Sequence, residues 1–154
     1  SSCLLAHTSQ ELELTGSARL EVVYAEAEHR GVADDRCSVI RLHWADTKVL
    51  FVNDAGFQFE QWAMQNKVDV SADVLVLGWH GFDHSGNVDF IRKVAPSLVV
   101  LPQMAVQSER WREQVTGSGA DLMILEETGA VEMTRGGSAL LVKGFIEGER
   151  RISD

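Results

Sequence analysis

The chain has 154 residues, 45% of them hydrophobic and 24% charged. That fits one globular domain able to bury a sizeable core without disulfides. Its 14 basic side chains against 23 acidic ones leave a formal net charge of −9. This excludes a general basic footprint for nucleic acid, so a phosphate-backbone ligand needs a local basic patch or metal ions.

The first third reads as β structure. Leu12, Leu14, Leu20, Val22 and Tyr24 alternate with Glu11, Glu13, Arg19 and Glu21, around a turn signal at Thr15-Gly16-Ser17. The charged stretch from Glu26 to Arg36 reads as a loop. CSVIRLHW and KVLFVN then form two strands joined at Ala45-Asp46-Thr47. The opening is therefore an antiparallel meander. In it, His43 beside Trp44 reads as a sheet-surface residue.

After Asp54 the pattern changes. Gly56 to Asn66 reads as a helix with Phe59, Trp62 and Ala63 on one face. ADVLVLG is a continuous apolar run, suited to a strand buried on both faces. Asn87 to Ala95 reads as a helix and SLVVL as a second buried strand, stopped by Pro102. Ser108 can cap a helix running through Val115, with Glu109 at its positive end. DLMIL is a third buried strand, and AVEMTRGGSALLVKG closes as a hairpin around Gly136-Gly137. Crossovers of this length imply parallel pairing, so the fold class is mixed α/β.

No run approaches the ~18 apolar residues of a membrane span. The start, SSCLLAHTSQ, lacks signal-peptide features and reads as a chain entered mid-domain. Cys3 and Cys37 stand outside any CxxC or zinc-finger spacing, and Cys37 reads as a buried thiol. Arg92-Lys93 and Arg150-Arg151 are the close basic pairs and read as solvated surface. No GxSxG, P-loop or GxGxxG is present, so serine-hydrolase and nucleotide-binding readings have no support.

Ligands in open α/β sheets gather at the carboxyl ends of strands. VLFVN runs into Asn53-Asp54-Ala55-Gly56, ADVLVLG into Trp79-His80-Gly81-Phe82-Asp83-His84, and SLVVL into Pro102-Gln103. A carboxylate at one strand end and imidazoles at the next suit Zn²⁺ or Mn²⁺. Each residue also has a plainer role. Asp54 can cap the helix that follows, and His80 can be a hydrogen-bonded loop histidine. Asp83-His84 can form an Asx-type turn, and Trp79 can belong to the core.

The order of these pieces resembles the metallo-β-lactamase-like domain that ends ComEC/Rec2 competence proteins. VLFVNDAGFQFEQWAMQ is similar to that family's TGD turn and the Glu-bearing helix after it. ADVLVLGWHGFDHSG resembles its aDvLkvpHHGS segment, and FIRKVAPSLVVL the helix, Pro and strand that follow. DDRCSVIRL resembles its NxNSLVLRL strand, and DLMILEETGAVEMTRGG its strand, Thr-Gly turn and terminal hairpin. The resemblance runs from about Leu12 to Val142.

It implies a four-layer αββα sandwich, of which residues 1–154 are the C-terminal part of one domain. It also implies a Zn- or Mn-dependent hydrolase acting on a phosphodiester, DNA during uptake, in a soluble extracytoplasmic domain of a membrane protein. Asp54 takes the place of a metal-ligating Asp. His80 takes the second place of the HHG pair, while Trp79 stands at the first, where an indole cannot ligate. His84 or Asp83 is the nearest replacement. The family's HxHxDH motif is absent, so the metal site is incomplete. The catalytic expectation is Asp54 and His80, and the metal expectation Asp54, His80 and His84. The expected partners are DNA through the parent protein, a missing N-terminal half or partner chain, and a second copy through an exposed apolar face. The alternative is a non-catalytic binding or assembly module on the same scaffold, and a generic α/β domain is the third reading.

Overall fold

The computed structural model describes residues 8–14, 16–25, 37–53, 55–78, 86–103, 108–136, 139–146 and 148–152, the last of these as backbone. The meander forms as expected: β1 (Glu11–Glu13), β2 (Ala18–Tyr24), β3 (Val39–Trp44) and β4 (Thr47–Asn53), paired antiparallel in that order. Then α1 (Phe57–Gln65), β5 (Val74–Leu77), α2 (Val88–Val94), β6 (Leu98–Leu101), α3 (Glu109–Thr116) and β7 (Asp121–Ile124) follow. These strands extend the same sheet in parallel, giving the order β1-β2-β3-β4-β5-β6-β7. The mixed α/β class is thus observed, with a single turn of helix, α4 (Leu125–Thr128), leading to a second sheet.

That second sheet has three strands: β8 (Val131–Gly136), β9 (Ala139–Gly144) and β10 (Gly148–Ile152). The sequence gives the β8–β9 hairpin and misses β10. GERRI carries one apolar residue and no alternation, so its strand state comes from pairing with β9.

The layers follow from period-two burial. Leu50, Val52, Leu75, Leu77, Val99, Leu101 and Ile124 face one core, shared with Phe59 of α1, Phe90 of α2 and Trp111 of α3. Their neighbours Val49, Val74, Leu98, Val100 and Met123 face the other way, onto Leu140 and Val142 of β9. The continuous apolar runs of β4 to β7 therefore supply both faces of a strand buried on both sides. Among the described residues this gives three layers, helices–sheet–sheet, in keeping with the expected portion of an αββα sandwich.

Two local differences from the sequence reading have clear causes. A register shift between Val22 and Tyr24 breaks the alternation of β2, so Val22 and Val23 are both buried. Tyr24 thereby joins the ring cluster of Phe59 and Trp62, with centroids 5.3 and 4.9 Å away. The helix boundaries agree with expectation to within a residue: Asn87 and Ser108 cap α2 and α3 by accepting from Asp89 N at 2.8 Å and Trp111 N at 3.3 Å.

Candidate site at the carboxyl ends of the parallel strands

Because β4, β5, β6 and β7 are parallel, their carboxyl ends lie on one edge of the sheet. Asp54 follows β4 directly, and Trp79, His80, Asp83 and His84 belong to the connection after β5. All five lie outside the described residues, so their side-chain roles are those of the sequence reading. Described residues frame them on both sides.

On the β4 side, Asn53 ends the strand with φ 52°, and its Nδ2 donates to the Ser38 carbonyl at 2.8 Å. Asn tolerates the left-handed region better than most residues. The β4–β5 register also slips between Phe51 and Asn53, so the strand end is bent. Ala55, beyond Asp54, is buried and its N–H reaches the Val52 carbonyl at 3.1 Å. The N-cap of α1 is Gly56, which carries no side-chain cap.

On the β5 side, the connection returns at Gly86 and Asn87, and here the acid of the Glu-bearing helix, to which the sequence assigns no role, is buried. Glu60 of α1 is 1% exposed. Its two carboxylate oxygens accept the N–H groups of Gly86 at 2.6 Å and Asn87 at 3.0 Å. Trp111 Nε1 donates to the Gly86 carbonyl at 2.6 Å, so this peptide segment is held from two helices. Gly86 sits at φ 76°, where a side chain would be strained. A groove of about 190 Å³ runs between α1 and α2, lined by Glu60, Met64, Asn87 and Phe90 among others. It is smaller than the several-hundred-Å³ pockets that enclose whole ligands.

A second polar cluster lies on the same helix-covered face, toward the end where β5 begins. Arg41, 5% exposed, makes a two-pronged contact with Glu21, with Nε–Oε2 and NH2–Oε1 both at 3.0 Å. Its NH1 donates to Asp69 Oδ2 at 3.2 Å and to the Ser71 carbonyl at 3.2 Å. His43 Nε2 lies 2.7 Å from Glu21 Oε2 and its ring is 14% exposed, so His43 is a half-buried member of this hydrogen-bonded cluster and not an open sheet-surface residue. Burial pushes the Glu21 carboxyl up, but hydrogen bonds from His43 and Arg41 and the Arg41 charge outweigh it and bring it below its ordinary value. Asp69 is also lowered: burial raises it, and the Ser71 hydrogen bonds with the charges of Arg41 and Lys48 overcome that. Every charge here has a partner of opposite sign, which marks a lock between β2, β3 and the segment leading into β5.

Among the described residues no group of three or more His, Cys, Asp and Glu side chains is placed to hold a metal. The donor set expected at the strand ends, Asp54 and His80 with His84 as a third, is chemically suited to Zn²⁺ or Mn²⁺. Asp54 and His80 alone fall short of the ligand count of a hydrolytic centre, so no reaction step is derived through a metal. Cys37 is half-buried against the helix-side core, and Arg92 pairs with Asp89 at 3.0 Å on the surface. Among the described residues no helix is long and apolar enough to cross a membrane.

The topology defines a mixed α/β protein with two sheets packed through one apolar layer and a strand-end edge. No protein-family model matches this chain, and no curated protein matches it. Among solved structures, a Thermotoga maritima protein described as a candidate metallo-β-lactamase is similar over 90% of this chain and 78% of its own, at 11% identity and a TM-score of 0.39. The layering given above rests on this chain's own pairing and packing.

Proposed function

We propose that this chain is the C-terminal part of a metallo-β-lactamase-type domain of the ComEC/Rec2 kind, and that it supplies part of a metal-dependent phosphodiester hydrolase centre. Its strand-end edge carries the reading: four parallel strands finish there, and Glu60 with Trp111 fastens the backbone of the connection that follows His80 and His84. Asp54 and His80, with His84 as a third donor, hold a divalent Zn or Mn ion. Ligands beyond these residues complete the centre, and DNA in uptake is the substrate of the whole. Metal in such a centre activates water and offsets charge on the phosphoryl oxygens.

A second reading, a non-catalytic binding or assembly module on the same scaffold, is favoured by Trp79 at the place of a ligating His and by the net charge of −9. Calorimetric titration with Zn²⁺ and Mn²⁺, paired with a phosphodiesterase assay, separates the two. The proposal expects one bound metal, lost in Asp54→Ala and in His80→Ala, and no hydrolysis by this chain alone. Absence of binding overturns it in favour of the module. Hydrolysis by the chain alone, lost in Asp54→Ala, overturns the claim that the centre is partial.

A further inference from the structure

Glu60 is the one acidic side chain in the buried class among the described residues. A carboxylate taken out of water is costly unless hydrogen bonds and dipoles replace its hydration. Two peptide N–H groups, at 2.6 and 3.0 Å, contribute to that replacement, as does the positive end of α1, in whose first turn Glu60 sits. Simple packing between α1 and α2 is served by an apolar side chain, as Phe59 and Phe90 do next to it at 5.7 Å between ring centroids. An apolar residue at position 60 would leave both N–H groups without this acceptor.

The placement of this acid relates the two strand-end turns. In the sequence, α1 follows shortly after Asp54, and Gly86 comes soon after His80 and His84. Glu60 ties α1 to Gly86 and Asn87, while Trp111 holds the same Gly86 peptide from α3. We infer that Glu60 is a positioning residue: a buried strut that fixes the return of the β5–α2 connection, at Gly86 and Asn87, against α1, and through it the donors of the proposed metal site. It acts through the backbone of Gly86 and Asn87. What it positions rests on the metal-site reading above; the strut itself does not.

The test uses the full chain as wild type, Glu60→Gln and Glu60→Ala. It records the imidazole ¹H–¹³C resonances of His80 and His84, a Zn²⁺ titration, and amide exchange. In Glu60→Ala both imidazoles are expected to move toward the shifts of free histidine. Zn²⁺ affinity is expected to fall about 10-fold or more, the scale at which residues that orient metal ligands act. Amide protection in β6 and β7 should hold. Glu60→Gln retains an acceptor oxygen and should recover part of both losses, which a merely space-filling role does not predict. Unchanged imidazole resonances in a folded Glu60→Ala overturn the strut. Should that variant fail to fold, Glu60→Gln and Trp111→Phe decide: both should shift the imidazoles in the same direction by less, and no shift in either overturns the inference. A wild-type chain that takes up no Zn²⁺ overturns the metal reading alone, and the imidazole spectra still decide the strut.

Discussion

At one end of the helix-covered sheet face Arg41 meets two carboxylates; at the other, Glu60 meets two peptide N–H groups. Both residues are buried, and both would be costly alone. The first end neutralises charge with charge and joins β2 and β3 to the segment entering β5, far from the strand ends. At the second, the carboxylate accepts two backbone N–H groups where the β5–α2 connection returns. A network of opposite charges suits a lock that only has to stay closed. A carboxylate that accepts main-chain N–H groups fixes a backbone path, as the proposed metal site would require of its connection.

The comparison breaks first at Arg41. Arg41→Met keeps most of the volume but leaves Glu21 and the Ser71 carbonyl without this donor, and should cost about 3 kcal/mol in urea unfolding. Its metal uptake should match wild type. A stability loss within error, or a loss of metal binding with the fold intact, would merge the two ends into one system.

Trp111→Phe is the next largest. It removes the indole N–H from the buried Gly86 carbonyl and should cost about 1–2 kcal/mol. Its amide-exchange changes should centre on Gly86 and Asn87 and leave Arg41 and Asp69 unaffected.

The smallest effect is the pH dependence set at the Arg41 end. Glu21 lies below its ordinary carboxylate value when folded. Its stabilisation is therefore fully present above the unfolded value, about pH 4.3 for a Glu. It is lost as pH falls through the lowered folded value. Unfolding free energy should drop from about pH 5 downward, and Glu21→Gln should flatten that slope. An equal slope in the variant would remove Glu21 from the account.

Much of the frame was legible because it rests on strong local signals. Continuous apolar runs marked β5, β6 and β7, and Ser108 marked a helix start through its side-chain oxygen. What escaped depended on tertiary partners. Glu60 looks like any solvated helix acid until Gly86 and Asn87 arrive from 26 and 27 residues away. His43 and Arg41 alternate with apolar neighbours as an exposed face would, and Glu21, brought in by β2–β3 pairing, gives both a tertiary partner. Tyr24 changed face through a bulge that leaves no mark in composition. Asp54, His80 and His84 were legible as donors at strand ends from their place in the sequence, and they rest on that reading still.

The most direct test of the account is a Zn²⁺ titration followed by backbone amide resonances across the whole chain. The account predicts shifts gathered at Asn53, Ala55, Gly78, Gly86 and Asn87, with Arg41, His43 and Asp69 unmoved. Shifts gathered at the Arg41 end, or none at any concentration, would contradict it.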